Sequence, residues 1–249
     1  MEQLDGIGWA IRKGIGIITI DNPPENYLRS PDFIPLAVLK KWTSAEELRG
    51  IIITGAGKQF SAGGNLEFLF SMIRECENIS KRMAKGKKVL DYIENLDIPV
   101  VSAIRGVCFG GGLEIALATH VRICSDNALF AFPESNHGLI PGLGGIARSN
   151  ELTGFRKSLE MVLGGDMISA AEALEMKLVD YIVPKNELHK FAFNYLYNIV
   201  KDRPLPVIRS VMKVLRCAGG MNPGDAMNLE TKLFCELAME EANRRKREG

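Results

Sequence analysis

Between Val100 and Gly145 the chain gathers two glycine clusters and two carboxylates, Glu114 and Glu134. The segment FGGGLE, Phe109 to Glu114, stands between two unlike runs. Val100 to Ile104 is apolar and rich in β-branched residues, which suits a buried strand, and Leu113 to Ala118 is made of good helix formers. A triple glycine between strand and helix lets the backbone turn sharply and lets another group approach, because no Cβ intervenes. The first amides of a helix have no intrahelical partner and carry the positive end of its dipole. The Gly111 amide is therefore suited to receive negative charge developing on a carbonyl oxygen, which is half of an oxyanion hole. The other half is expected from QFSAGGN, Gln59 to Asn65, which follows the apolar run Gly50 to Thr54. Loops leaving the carboxyl ends of neighbouring parallel strands meet on one sheet edge, so the Ala62 and Gly111 amides can converge.

The elements that must hold these loops can be read in order. Trp9 to Arg12 and Ile15 to Ile20 are two strands joined at Lys13-Gly14, a hairpin. Asn22-Pro23-Pro24 breaks the pattern, and Pro31 and Pro35 delay the next helix to Phe33 to Trp42. Leu66 to Lys85 mixes apolar and charged residues as one or two helices would, and is expected to wall a pocket. Leu90, Ile93 and Leu96 recur at helical spacing ahead of the Val100 strand. Val121 to Cys124 and Leu129 to Phe132 read as short strands, and Phe132-Pro133-Glu134 sets a carboxylate just beyond the second. Phe155 to Leu163 is amphipathic, and Ser169 with Glu172 forms a capping box opening a helix over Ala170 to Met176. Val179 to Val183 and a helix over Glu187 to Lys201 complete residues 1–200. Pro204 and Pro206 separate these from a helical tail, residues 201–249, where Asn222-Pro223 caps a long helix reaching Arg244. Its stripe of Met227, Phe234, Leu237 and Ala238 is expected to pack on the core or on a neighbour.

FSAGGN, FGGGLE and PESNHGLIPGLGG, in this order and spacing, resemble the crotonase superfamily, the enoyl-CoA hydratases and isomerases. The likeness runs from Gly16 to Pro184. It implies an α/β fold of repeated ββα units with a C-terminal helical oligomerisation tail, and an acyl-CoA thioester as substrate. It implies that Glu114 activates water, that Glu134 delivers a proton to Cα, and that the Gly142 amide positions the water. It also implies substrate contacts from Asn26 and Leu28, in a turn whose backbone touches the nucleotide end of CoA, and from Ala62, Gly63, Gly64, Asn65 and Gly111. Tyr27 replaces a small residue of the family's Asn-Ala-Leu turn, and Asn65 stands where Asp is usual. The family's terminal aromatic and lysine phrase is missing from this tail, so no contact through it is carried over. Trimers or dimers of trimers are the assembly that the resemblance implies.

Other chemistries fit less well. A formal charge of +1 offers no basic excess for nucleic acid. No apolar run approaches the roughly 18 residues of a membrane span. Neither a signal nor a transit pattern opens MEQLDGIGW, so a cytoplasmic protein is expected. Five scattered cysteines read as reduced thiols rather than disulfides or a zinc site. Ser61 and Cys108 lack a His/Asp support and read as packing residues. His120, His137 and His189 lack metal-ligand spacing, and His137 reads as a hydrogen-bonded structural residue. Gly142 to Ala147 matches GxGxxA, but no strand leads directly into it and no ribose-binding acid follows.

These readings converge on a hydratase that adds water to a 2-enoyl thioester through an enolate held by two amides, with no metal or redox cofactor and coenzyme A entering as part of the substrate. An isomerase would need only the acid at Glu134, and the presence of Glu114 tilts the choice to hydration. Other crotonase reactions on a specialised thioester stay open, as does a non-catalytic acyl-CoA-binding protein, which has no chemical need for two carboxylates.

Overall fold

The computed structural model describes residues 2–65, 67, 70–71 and 78–248. Among them, β1 (Glu2–Leu4), β2 (Ile7–Arg12), β3 (Ile15–Ile20), β4 (Gly50–Gly55), β5 (Val100–Ile104), β7 (Val121–Ser125) and β10 (Tyr181–Val183) form one sheet in the order β1-β2-β3-β4-β5-β7-β10. β1, β2 and β3 pair antiparallel, and from β3 to β10 every pairing is parallel. The parallel part is where the isoleucine and valine runs lie. β4 and β5 are buried along their whole length, as strands covered on both faces must be. The expected hairpin of β2 and β3 forms, and Lys13 and Gly14 both take positive φ at its turn.

A second sheet, β6 (Val107–Phe109), β8 (Leu129–Ala131) and β9 (Ile168–Ser169), sits beyond the carboxyl ends of β4 and β5. Sequence reading does not find β6, because three residues, VCF, are too few to show a period. This short strand nevertheless ties the site together. Phe60 and Ser61 both donate their amides to Val107 O at 3.1 Å, and Phe109 N donates to Ser61 O at 3.0 Å, so the loop after β4 is sewn to β6. On its other side β6 runs parallel to β8 with Phe109 opposite Ala131, and Gly110 N donates to Ala131 O at 3.0 Å.

The helices differ from expectation mainly at their starts. The first covers Leu36–Thr43, not Phe33 to Trp42, because Pro35 holds ψ at 129° and acts as the N-cap. Phe33 and Ile34 are buried ahead of it. A helix over Ile79–Glu94, capped by Asn78 Oδ1 accepting from Lys81 N at 2.9 Å, joins what the sequence presents as two pieces. The rest of the Leu66 to Lys85 reading falls largely outside the described residues, as does Cys76. The helix Gly111–Leu117 begins inside the triple glycine, and a helix over Gly145–Thr153 follows PGLGG where none was expected. The Ser169–Glu172 capping box forms ahead of Ala170–Glu175, and the helices Phe155–Gly164 and Leu188–Val200 lie where their apolar periods put them.

Towards the carboxyl end, the helix Leu205–Ala218 buries Ile208 and Met212, and the helix Pro223–Glu248 packs along it. The tail helix turns Ala226, Leu229, Leu233 and Leu237 inward, all half-buried. Met227, Phe234 and Met239 remain exposed. The stripe expected from Met227 and Phe234 is thus the outward side of this helix within one chain.

Candidate active site

Glu114 lies in the first turn of the Gly111–Leu117 helix and is 2% exposed. Its Oε1 accepts two amides, from Leu143 at 2.6 Å and Gly145 at 2.9 Å. The loop that supplies them can come this close because Gly145 has no side chain: an ideal Cβ there would lie 2.7 Å from Phe132 Cζ and 3.0 Å from Glu114 Cγ. Oε2 takes no hydrogen bond among the described residues. Burial pushes the Glu114 carboxyl up from its ordinary range, while the two amides and the Arg148 guanidinium act the other way by favouring the anion.

Glu134 sits in a 3-10 turn over Pro133–His137, immediately beyond β8. The β6–β8 pairing brings it to Gly110, whose φ of +49° opens the Gly111 helix. An ideal Cβ on Gly110 would be 2.7 Å from Glu134 Oε1, so glycine makes room for the carboxylate. Glu134 Oε2 is buried with no hydrogen-bond partner among the described residues. Burial raises this carboxyl to about 7, the nearby Glu114 charge adds to the rise, and only its own backbone amide opposes it. Two carboxyls in one cavity thus have unlike surroundings, one held by amides and the other left dry.

A cavity of about 140 Å³ is lined by both glutamates together with Leu28, Gly64, Asn65, Gly111 and Gly142, and its apolar wall includes Met83, Leu139 and Leu143. Met83 comes from the Ile79–Glu94 helix and rests on Gly142, where an ideal Cβ would meet its Cε at 2.4 Å. The structure therefore brings together, on one surface, most of the residues that the three motifs nominate.

Three of the expected roles are corrected. The Ala62 amide donates to Glu25 O at 2.9 Å and is not free for a substrate oxygen. Gly63 has both polar groups engaged, its amide on Ser61 Oγ at 3.1 Å and its carbonyl accepting from Leu28 N at 2.8 Å. The amide left without an acceptor among the described residues is that of Gly64, two positions beyond Ala62. It faces Gly111: an ideal Cβ on Gly111 would lie 3.7 Å from Gly64 N. The Gly111 amide, at the start of its helix, is likewise without an acceptor among the described residues. Asn26 is the third correction. It is fully buried, donating through Nδ2 to Ala56 O at 2.9 Å and Gln59 O at 2.8 Å, so it braces the loop rather than offering a surface to a ligand.

The packing readings of Ser61 and Cys108 fit their surroundings, and the structural reading of His137 does not. Ser61 Oγ donates to Asn26 O at 2.7 Å inside the loop, and Cys108 is buried with its thiol pushed well up by burial. His120 accepts from Val100 N at 2.8 Å, which joins the end of one helix to the start of β5. His137, expected as a hydrogen-bonded structural residue, is exposed and its ring makes no hydrogen bond among the described residues, and with Tyr27 and Ala62 it lines an adjoining depression beside Glu134.

The Gly64 and Gly111 amides, without an acceptor among the described residues, thus lie on one cavity surface with the buried Glu114 and the half-buried Glu134. The chain belongs to the Enoyl-CoA hydratase/isomerase family, whose profile matches residues 10–249. It is 36% identical over 177 residues to a probable enoyl-CoA hydratase of Bacillus subtilis, covering 71% of this chain and 68% of the relative. It is 37% identical over 211 residues to the fatty acid oxidation complex subunit alpha of Idiomarina loihiensis, covering 81% of this chain but only 29% of that longer protein. The fold is crotonase-like: a Thermobifida fusca protein solved in complex with CoA superposes with a TM-score of 0.84 at 25% identity, over 96% of this chain and 95% of the other.

Proposed function

We propose that this chain is an enoyl-CoA hydratase, adding water reversibly across a 2-enoyl-CoA thioester to form a 3-hydroxyacyl-CoA. The observation that carries the reading is the pair of glutamates in unlike surroundings beside the Gly64 and Gly111 amides, which have no acceptor among the described residues. The thioester oxygen is placed between the Gly64 and Gly111 amides, where negative charge builds as water attacks Cβ. One such donor is typically worth roughly 2.7 to 4 kcal/mol of transition-state stabilisation. Glu114, whose Oε1 is fixed by two amides, presents Oε2 to the water and accepts its proton. The Gly142 amide helps to hold that water. Glu134, raised to about 7 and therefore able to carry a proton near neutrality, gives it to Cα. Water's hydroxyl ends on Cβ and the delivered proton on Cα, and proton exchange between the two carboxyls and solvent resets the pair.

The CoA complex of the Thermobifida fusca neighbour supports a CoA thioester as the substrate. The reading needs no metal or redox cofactor. It assigns Leu28, Gly64, Asn65 and Gly111 to binding the acyl-CoA substrate. It includes a trimer or dimer of trimers, formed through residues 201–249 beyond a catalytic core of residues 1–200, and a cytoplasmic location. The exposed Phe234 and Met239 on the tail helix favour such an assembly, since they would be covered by a neighbour.

Loss of the conjugated-thioester absorbance across a panel of 2-enoyl-CoAs tests the activity. Hydration of at least one member is expected. Migration of a 3-enoyl double bond without hydration would instead make the chain an isomerase, and binding of CoA thioesters without either reaction would leave it a binding protein. Light scattering showing a stable monomer at micromolar concentration would remove the assembly.

A further inference from the structure

The two amides that hold Glu114 are themselves held. Arg148, in the Gly145–Thr153 helix, donates from Nη1 to Leu143 O at 2.8 Å, and Leu143 N is the donor to Glu114 Oε1 at 2.6 Å. Its Nη2 meets Glu94 at 2.8 Å and Asp91 at 3.1 Å, both at the end of the helix that brings Met83 to the cavity wall. Gly144 leaves the room in which the guanidinium meets the Leu143 carbonyl. That glycine has a φ of +100°, and an ideal Cβ on it would stand 2.5 Å from Nη1. The last two glycines of PGLGG therefore have separate uses: Gly144 admits Arg148 and Gly145 admits Glu114.

We propose that Arg148 is a positioning residue for the Glu114 carboxylate, fixing the Leu143–Gly145 amides against the Ile79–Glu94 helix so that Glu114 Oε2 points to the reacting water. This rests on the hydratase reading for its kinetic consequence, and on geometry alone for the positioning. Arginine suits the task, since its planar fork can bond a carbonyl on one side and two carboxylates on the other, whereas lysine offers a single point charge. The groups facing Glu114 are Glu134 from the Pro133–His137 turn and Arg148; those facing Arg148 are Asp91, Glu94 and Glu114. Removing the guanidinium withdraws the one positive charge among the described residues that favours the Glu114 anion. A base that must be unprotonated then becomes available only at higher pH.

Arg148→Met is expected to lower kcat by up to roughly 100-fold, the usual consequence of a small misplacement of a reacting group. KM for the thioester should change far less, and the acid limb of kcat should move to higher pH. Arg148→Lys should restore the position of that limb but not kcat. A carbon-13 titration of Glu114 needs no turnover and should show its carboxyl raised in Arg148→Met. If Arg148→Met does not fold, Glu94→Gln loosens the anchor while keeping the guanidinium, and should lower kcat in the same direction by less. A variant that unfolds at lower temperature yet keeps parental kcat and a parental Glu114 titration would make Arg148 a purely structural ion pair and overturn the proposal. If the parent hydrates nothing while Arg148→Met still raises the Glu114 titration, the hydratase reading falls and the positioning role stands; an unmoved titration removes the positioning role whatever the parent does.

Discussion

The surroundings of Glu114 and of Glu134 make opposite use of burial. Around Glu114 the chain supplies amides from Leu143 and Gly145, and a guanidinium behind them. Around Glu134 it supplies the flank of Gly110 and leaves one oxygen without a partner among the described residues. An anion is stabilised by dipoles aimed at it and penalised where they are missing, so the donors around Glu114 favour its anion while Glu134 is raised to about 7, as the proposed base and acid require. The lesson is that burial alone does not assign an acid or a base. What separates the two roles is the number of donors that accompany each carboxyl into the dry interior.

The largest expected effect comes from erasing that difference. Glu114→Gln and Glu134→Gln keep shape but remove proton transfer, and each should lower hydration turnover by roughly 10² to 10⁴. The double variant should lose little beyond the worse single one, since groups acting as a unit are not additive. Stopped-flow or steady-state hydration rates check this, and parental rates in both single variants would end the two-carboxylate mechanism.

Next in size is the oxyanion cradle that both carboxyls flank. Gly111→Pro deletes one donor at the first position of a helix, where proline is tolerated, and should cost roughly 100-fold or more in turnover. Ala62→Pro removes an amide that bonds Glu25 O instead, so its damage should appear in thermal stability ahead of chemistry. Comparing kcat per folded molecule in the two variants decides between Gly64 and Ala62 as the partner of Gly111.

A gentler test reads protonation directly. Glu134 is raised to about 7, so as the acid it is lost when pH climbs through that value, and kcat should fall on the alkaline side of about 7. Glu134→Gln should abolish that limb in whatever turnover remains.

The smallest effect is on stability. The folded state holds the Glu134 proton up to about 7, whereas the unfolded chain releases it near the ordinary carboxyl range. The folded form is therefore favoured at low pH and loses that advantage as pH rises between the two values. Glu134→Gln has no charge to bury, so its melting temperature should gain on the parent as pH goes from 5 to 8. A constant difference across that range would mean that Glu134 is not held dry.

Much of this arrangement is legible in the chain itself. The β-branched apolar runs of β4 and β5 suit strands buried on both faces, and FGGGLE suits the strand-to-helix turn that it forms here. Ser169 and Glu172 announce their capping box because both partners lie within one turn. Local chemistry of that kind is settled by neighbours in sequence. The choice between Ala62 and Gly64 is not, since the acceptor that occupies the Ala62 amide is the carbonyl of Glu25, brought from a different loop. Nor is the strand β6, whose three residues gain their identity only by lying between the Ser61 loop and β8. The same holds for the two glutamates. Their positions along the chain are plain, but the donors that make one unlike the other come from Leu143, Gly145 and Arg148, and a hydrogen bond depends on where folding places both of its ends.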